Sequence, residues 1–217
     1  MQNLSMIELS RRILFVGLLA VTAMVAPERS PYGADKIVGP PALAVVARQL
    51  GLEPLQTASV PSTGWELRIW VDYGSPAGSY LLQLQNLPSA VAGRVVAWTW
   101  DGNAVRARPL GQQQDWAKIA RELQGRSVWE VAARDGIRTL CISDRIPLLV
   151  ESVREGTYRR SQHDVVGRDV AEMVAAEHPE EAKIVQQAAS VVEFVRELAS
   201  RTGLVAEQLP RPHHGCG

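Results

Sequence analysis

The spacing of hydrophobic positions changes along the chain, and each change marks a different kind of element. Over residues 41–50, Leu43, Val46, Ala47 and Leu50 recur at helical spacing, with Pro41 at the start and Gly51 placed to end the last turn, so a short helix is predicted. Residues 53–64 read as loop. From Trp65 the period falls to two: Trp65, Leu67, Ile69, Val71 and Tyr73 alternate with Glu66, Arg68 and Asp72, the pattern of a strand with one buried face, and only Trp70 breaks the polar side. Further strands are predicted over 79–87, 91–100 and 104–109. Asp101-Gly102-Asn103 supplies the turn between the last two, and a meander is the simplest topology.

The period then returns to helical over 114–124, where Trp116, Ile119, Ala120 and Leu123 make one stripe between Asp115 and Gly125. Short strands are expected over 128–131, 137–142 and 148–153, the last turning through Arg154-Glu155-Gly156 into a partner over 157–161. A short helix over 170–177 precedes a long one that opens on Pro179. In the long helix Ile184, Val185, Ala188, Val191, Val192, Val195, Leu198 and Ala199 form a continuous stripe, and Gly203 follows. The fold class is therefore α+β, an antiparallel β-sheet packed by a central helix and a long C-terminal helix.

The N-terminus has a different character. A polar stretch ending in Arg11 and Arg12 precedes an almost uncharged apolar run over 13–26, the pattern of a secretory signal. That run is shorter than the roughly 20 residues a spanning helix needs, so cleavage is expected, after Ala23 in Val21-Thr22-Ala23. Anchoring to the membrane by 13–26 is the alternative. Ser10-Arg11-Arg12-Ile13-Leu14-Phe15 also resembles a twin-arginine signal, although ordinary Sec export fits better. The organisation that follows is a signal peptide over 1–23, a flexible Pro- and Gly-rich leader over 24–41 and a β-rich domain over 42–164. A helical segment packing on the sheet over 165–205 and a disordered tail over 206–217 complete it. The expected location is the periplasm or the exterior.

Charge narrows the partners. The chain has 23 basic and 23 acidic residues among 217, so no overall field gathers polyanions, and no Lys/Arg run or Arg–aromatic interleaving suggests nucleic acid. Its 2 cysteines, Cys141 and Cys216, exclude a disulfide-rich scaffold. Two free thiols are the leading expectation, with a Cys141–Cys216 disulfide as the alternative.

Several segments together resemble a pattern that recurs in exported bacterial proteins of unassigned activity. They are Trp65-Glu66-Leu67-Arg68-Ile69-Trp70, the 93–98 strand, the Trp116 helix leading into Val128-Trp129, and Val150-Glu151 through Gly156-Thr157-Tyr158-Arg159. The resemblance spans 65–161. It implies one β-rich domain and transfers no site or activity.

Candidate chemistry is sparse. The motifs G-x-S-x-G, H-E-x-x-H, C-x-x-C, the Walker loop and G-x-G-x-x-G are all absent. Tyr158, Arg159, Arg160, His163 and Asp164 gather at a strand end, where guanidiniums could hold a carboxylate or phosphate and His163 could titrate. Alternation points Tyr158 and Arg160 to one face and Arg159 and His163 to the other, and a solvated edge strand is the plainer reading. Trp98 and Trp100 share a face and, with Trp70, form either an aromatic ligand platform or core beneath the Trp116 helix or the long C-terminal helix, core being favoured. His213-His214-Gly215-Cys216 offers metal donors, but adjacent ligands on a flexible tail bind weakly, and no metal or cofactor is expected. The function expected is a non-catalytic ligand- or partner-binding domain of the cell envelope. The alternative is an enzyme with a site around Tyr158, Arg160 and His163, aided by Asp164.

Overall fold

The structure, a computed structural model, describes residues 42–71, 79–88, 90–98, 105–111, 115–136, 145–177 and 179–204. The expected signal and leader, the turn expected over 101–103, the strand expected over 137–142, Trp100, both cysteines and residues 205–217 lie outside the described residues. The elements in order are α1 (Ala42–Gln49), β1 (Trp65–Val71), β2 (Ser79–Leu87), β3 (Ala90–Trp98), β4 (Val105–Pro109), α2 (Trp116–Gly125), α3 (Val128–Val131), β5 (Ile146–Arg154), β6 (Thr157–Val165), α4 (Arg168–Glu177) and α5 (Pro179–Arg201). The sheet order is β4-β3-β2-β1-β5-β6, with every neighbouring pair antiparallel. Strands β1 to β4 form the expected meander. The chain then returns by way of α2 and α3 to the other edge of β1 and adds the β5–β6 hairpin.

Both faces of the sheet are covered, because both carry apolar side chains. One face presents Leu67, Ile69, Leu82, Leu84, Val95, Leu148 and Val150 to a layer made of Ile119 and Leu123 from α2, Val128 and Val131 from α3, and Ala188, Val191, Phe194, Val195 and Leu198 from α5. The opposite face presents Trp70, Leu81, Val96, Trp98 and Leu149 to Leu43, Val46 and Ala47 of α1. Trp70 and Trp98 meet there edge to face, with centroids 5.8 Å apart. Among the described residues, no helix is long and apolar enough to cross a membrane.

Local chemistry fixes the joints. The Asp115 carboxylate caps α2 by accepting the Lys118 amide at 2.9 Å. Trp116 then reaches the sheet over Gly93, where a Cβ would come within 2.9 Å of the indole ring and 2.7 Å of Leu84 Cδ2, so the missing side chain makes the indole's seat. The β5–β6 hairpin turns through Glu155 (φ 53) and Gly156 (φ 72), both left-handed as a primed turn requires. Helix α5 ends with Leu204 N–H donating to Ala199 O at 3.0 Å and Gly203 N–H donating to Ser200 O at 2.9 Å, which folds buried Leu204 back against the core. Helix α1 ends the same way around Gly51, and Leu52 N–H donates to Ala47 O at 2.9 Å.

Two expectations are corrected. Residues 128–131 are a helical turn rather than a strand, because Val128 and Val131, three apart, both point into the core. Strand β6 continues past Ser161 to Val165, since Ser161, His163 and Val165 pair in register with Val150, Leu148 and Ile146.

Candidate functional site

Helix α1 is short and covers only the apolar part of its face. Beside it, the pairing register places Arg94 opposite Gln83, Gln83 opposite Arg68, Arg68 opposite Glu151 and Glu151 opposite Arg160, a polar row running from β3 to β6. One residue pair further along, Glu66 on β1 lies opposite Gln85 on β2. The loop leaving α1 folds over this row. Arg68 Nη1 donates to Glu53 O at 2.6 Å, and Leu55 is fully buried beneath the loop.

Between that loop and strands β2 and β3 a groove of about 570 Å³ stays open. Its floor is Glu66, Arg68, Gln83, Gln85 and Arg94, and Leu52, Val60, Leu87, Ala92 and Pro109 contribute apolar walls. The floor is tightly bonded. Glu66 Oε1 accepts from Arg68 Nε at 2.7 Å and from Gln83 Nε2 at 2.8 Å, and Glu66 Oε2 accepts from Gln85 Nε2 at 2.8 Å. Gln83 Oε1 in turn accepts from Arg94 Nε at 2.7 Å. Glu66 and Arg68 are 4% and 2% exposed, so the pair is a buried one whose charges need each other.

Toward the β6 edge, Glu151 anchors a second group on the same face. Its carboxylate accepts from Trp70 Nε1 at 3.1 Å and from the Tyr158 hydroxyl at 2.9 Å. Burial first, and then the Glu151 carboxylate, push the Tyr158 phenol well above its ordinary pKa, so it remains a proton donor.

The residues singled out in the sequence are therefore distributed. Tyr158 and Arg160 lie on the groove's face of the sheet, on the same polar row, but do not line the groove. His163 and Arg159 belong to the opposite face, so the sheet separates His163 from Tyr158 and Arg160. His163 is buried, with Nε2 3.0 Å from Val131 O and 3.2 Å from Ser161 Oγ. Because a carbonyl only accepts, Nε2 carries the proton. Asp164 lies on the face of Tyr158 and pairs with Arg145 at 3.1 Å. Trp98 is core, but under α1 rather than under α2 or α5, which pack on the opposite face; its indole nitrogen has no hydrogen-bond partner among the described residues.

His163 carries a pH prediction. Desolvation pushes its pKa below the ordinary value of 6.5; the Val131 hydrogen bond, Asp135 and Asp164 act upward and Arg134 downward. The unfolded chain therefore takes up a proton that the folded chain resists, so stability is complete above about pH 6.5 and falls as the pH drops below it. The slope should stay under about 1.4 kcal/mol per pH unit. Denaturant midpoints at pH 7.5 and 5 should differ more for the wild type than for His163→Gln. Equal differences would show that the imidazole titrates freely in the fold.

The groove residues escaped sequence reading because Glu66 and Arg68 look like the wet side of an alternating strand. The signal that marks them is Trp70 on that side of β1, together with Leu81 on β2 and Val96 on β3. Apolar residues recurring on the polar face require a second covering layer, and charges beside such a layer are enclosed. Compared with protein-family models and with curated proteins, the sequence matches none, so the reading of this site rests on its geometry.

Proposed function

We propose that the chain is an exported, non-catalytic binding domain of the cell envelope, and that the groove between the 51–60 loop and strands β2 and β3 holds a small ligand. The signal pattern of 1–23 supports export. The observation that carries the binding reading is the bonded floor: Glu66, Arg68, Gln83 and Gln85 hold one another in place beneath an open groove of about 570 Å³, a volume suited to a small molecule. Polar groups fixed in advance by their neighbours lose little entropy when a ligand arrives. The separation of His163 from Tyr158 and Arg160 gives the enzyme alternative no geometric support.

The test is a thermal-shift panel of small metabolites on the mature chain and on Ala92→Trp. Ala92 is exposed on the groove wall, so the indole fills the groove without entering the core. At least one compound should raise the wild-type midpoint and leave that of Ala92→Trp unmoved. Stabilisation of equal size in both proteins would place binding elsewhere.

A further inference from the structure

On the strands that floor the groove, Arg68 and Arg94 accompany one carboxylate, Glu66; the second carboxylate of the lining, Glu53, belongs to the covering loop. Arg68 is committed, with Nε on Glu66 and Nη1 on Glu53 O. Both Glu66 oxygens are occupied by donors. Gln83 can face only one way, because turning its amide would set an NH₂ against Arg94 and a carbonyl against the Glu66 carboxylate. Gln83 therefore holds Arg94 by Nε alone. The two terminal nitrogens of Arg94 make no hydrogen bond among the described residues, while the side chain lines the groove.

Burial, and then the neighbouring Arg68 guanidinium, lower the Arg94 pKa, and Glu66 partly restores it. An arginine remains protonated under such a perturbation, so Arg94 is a part-buried cation in the groove.

Building on the reading of the groove as a ligand site, we infer that it selects small monocarboxylates with a compact apolar body, anchored end-on by the terminal nitrogens of Arg94. A guanidinium held by one nitrogen presents its remaining N–H groups as a fork that matches the two oxygens of a carboxylate. Glu66 lies just beyond Gln83, which is hydrogen-bonded to both it and Arg94, and Glu53 also lines the groove; these carboxylates disfavour a doubly charged anion. Leu52, Val60, Leu87 and Pro109 supply the wall for the apolar body.

The experiment is a backbone-amide NMR titration of the mature chain with hexanoate, hexanamide and hexylamine, repeated on Arg94→Gln. Hexanoate should bind about tenfold or more tightly than hexanamide, as expected for a hydrogen bond to a charged group, and hexylamine should bind most weakly. In Arg94→Gln the preference for hexanoate over hexanamide should fall to within about twofold. If hexanamide binds the wild type as tightly as hexanoate, with shifts at the groove, the carboxylate inference fails and the groove remains a ligand site. If no probe moves groove resonances, both fail. The comparison of the three probes on wild type decides the matter even if Arg94→Gln folds poorly.

Discussion

Val191→Asp and Val195→Asp are each expected to abolish or severely weaken folding. Both valines are 0% exposed on α5 and belong to the core shared with the sheet, α2 and α3. A carboxylate there has neither water nor a partner, and the cost, about 4 kcal/mol or more, is a large part of the roughly 5–15 kcal/mol by which a domain is stable. At about 2–4 °C per kcal/mol for a domain of this size, the thermal midpoint should fall by about 10 °C or more, or the cooperative transition should vanish. Glu193→Ala, exposed on the same helix, serves as control and should leave the midpoint nearly unchanged. Unchanged midpoints for the aspartate variants would show that this stripe of α5 faces solvent.

The second large effect is expected at the groove floor. Glu66→Ala removes the carboxylate that Arg68, 2% exposed, pairs with through Nε, and with it the acceptor for Gln83 and Gln85. Breaking a buried pair from one side costs about 3–5 kcal/mol, whereas replacing both charges with apolar groups is often neutral. Glu66→Leu combined with Arg68→Met should therefore recover most of the stability that Glu66→Ala loses, with Gln83 and Gln85 turning to water in the groove. A denaturant series on the single and double variants measures this. A double variant as unstable as Glu66→Ala would show that the network is held by the glutamines and the loop rather than by the ion pair.

The fold was legible wherever one period ran long enough to be distinctive. The stripe from Ile184 to Ala199 gave α5, alternation gave β1, and Glu155-Gly156 gave the β5–β6 turn. Reading failed where the pattern was short or mixed. Val128-Trp129-Glu130-Val131 is too brief for its apolar pair to separate a strand from a helical turn. Strand β6 runs on through the polar residues of its expected end: Ser161 and His163 face inward and bond the Val131 carbonyl of α3, 30 and 32 residues away in sequence. The groove was hidden for a related reason. Arg68 and Glu66 are buried by a loop whose backbone carbonyl satisfies Arg68, and no spacing rule in the sequence encodes that partner. What was readable at the site was the division of faces in β6, with Tyr158 and Arg160 on one side and His163 on the other.

If ligand binds in the groove over Glu66, Arg68, Gln83 and Arg94, as proposed, the position of bound ligand will show it. With any compound that stabilises the protein, backbone-amide shift mapping should concentrate the changes at 51–60, 83–87 and 92–94, with α5 and β6 nearly silent. Changes centred instead around His163 and α3, or along α5, would contradict the account.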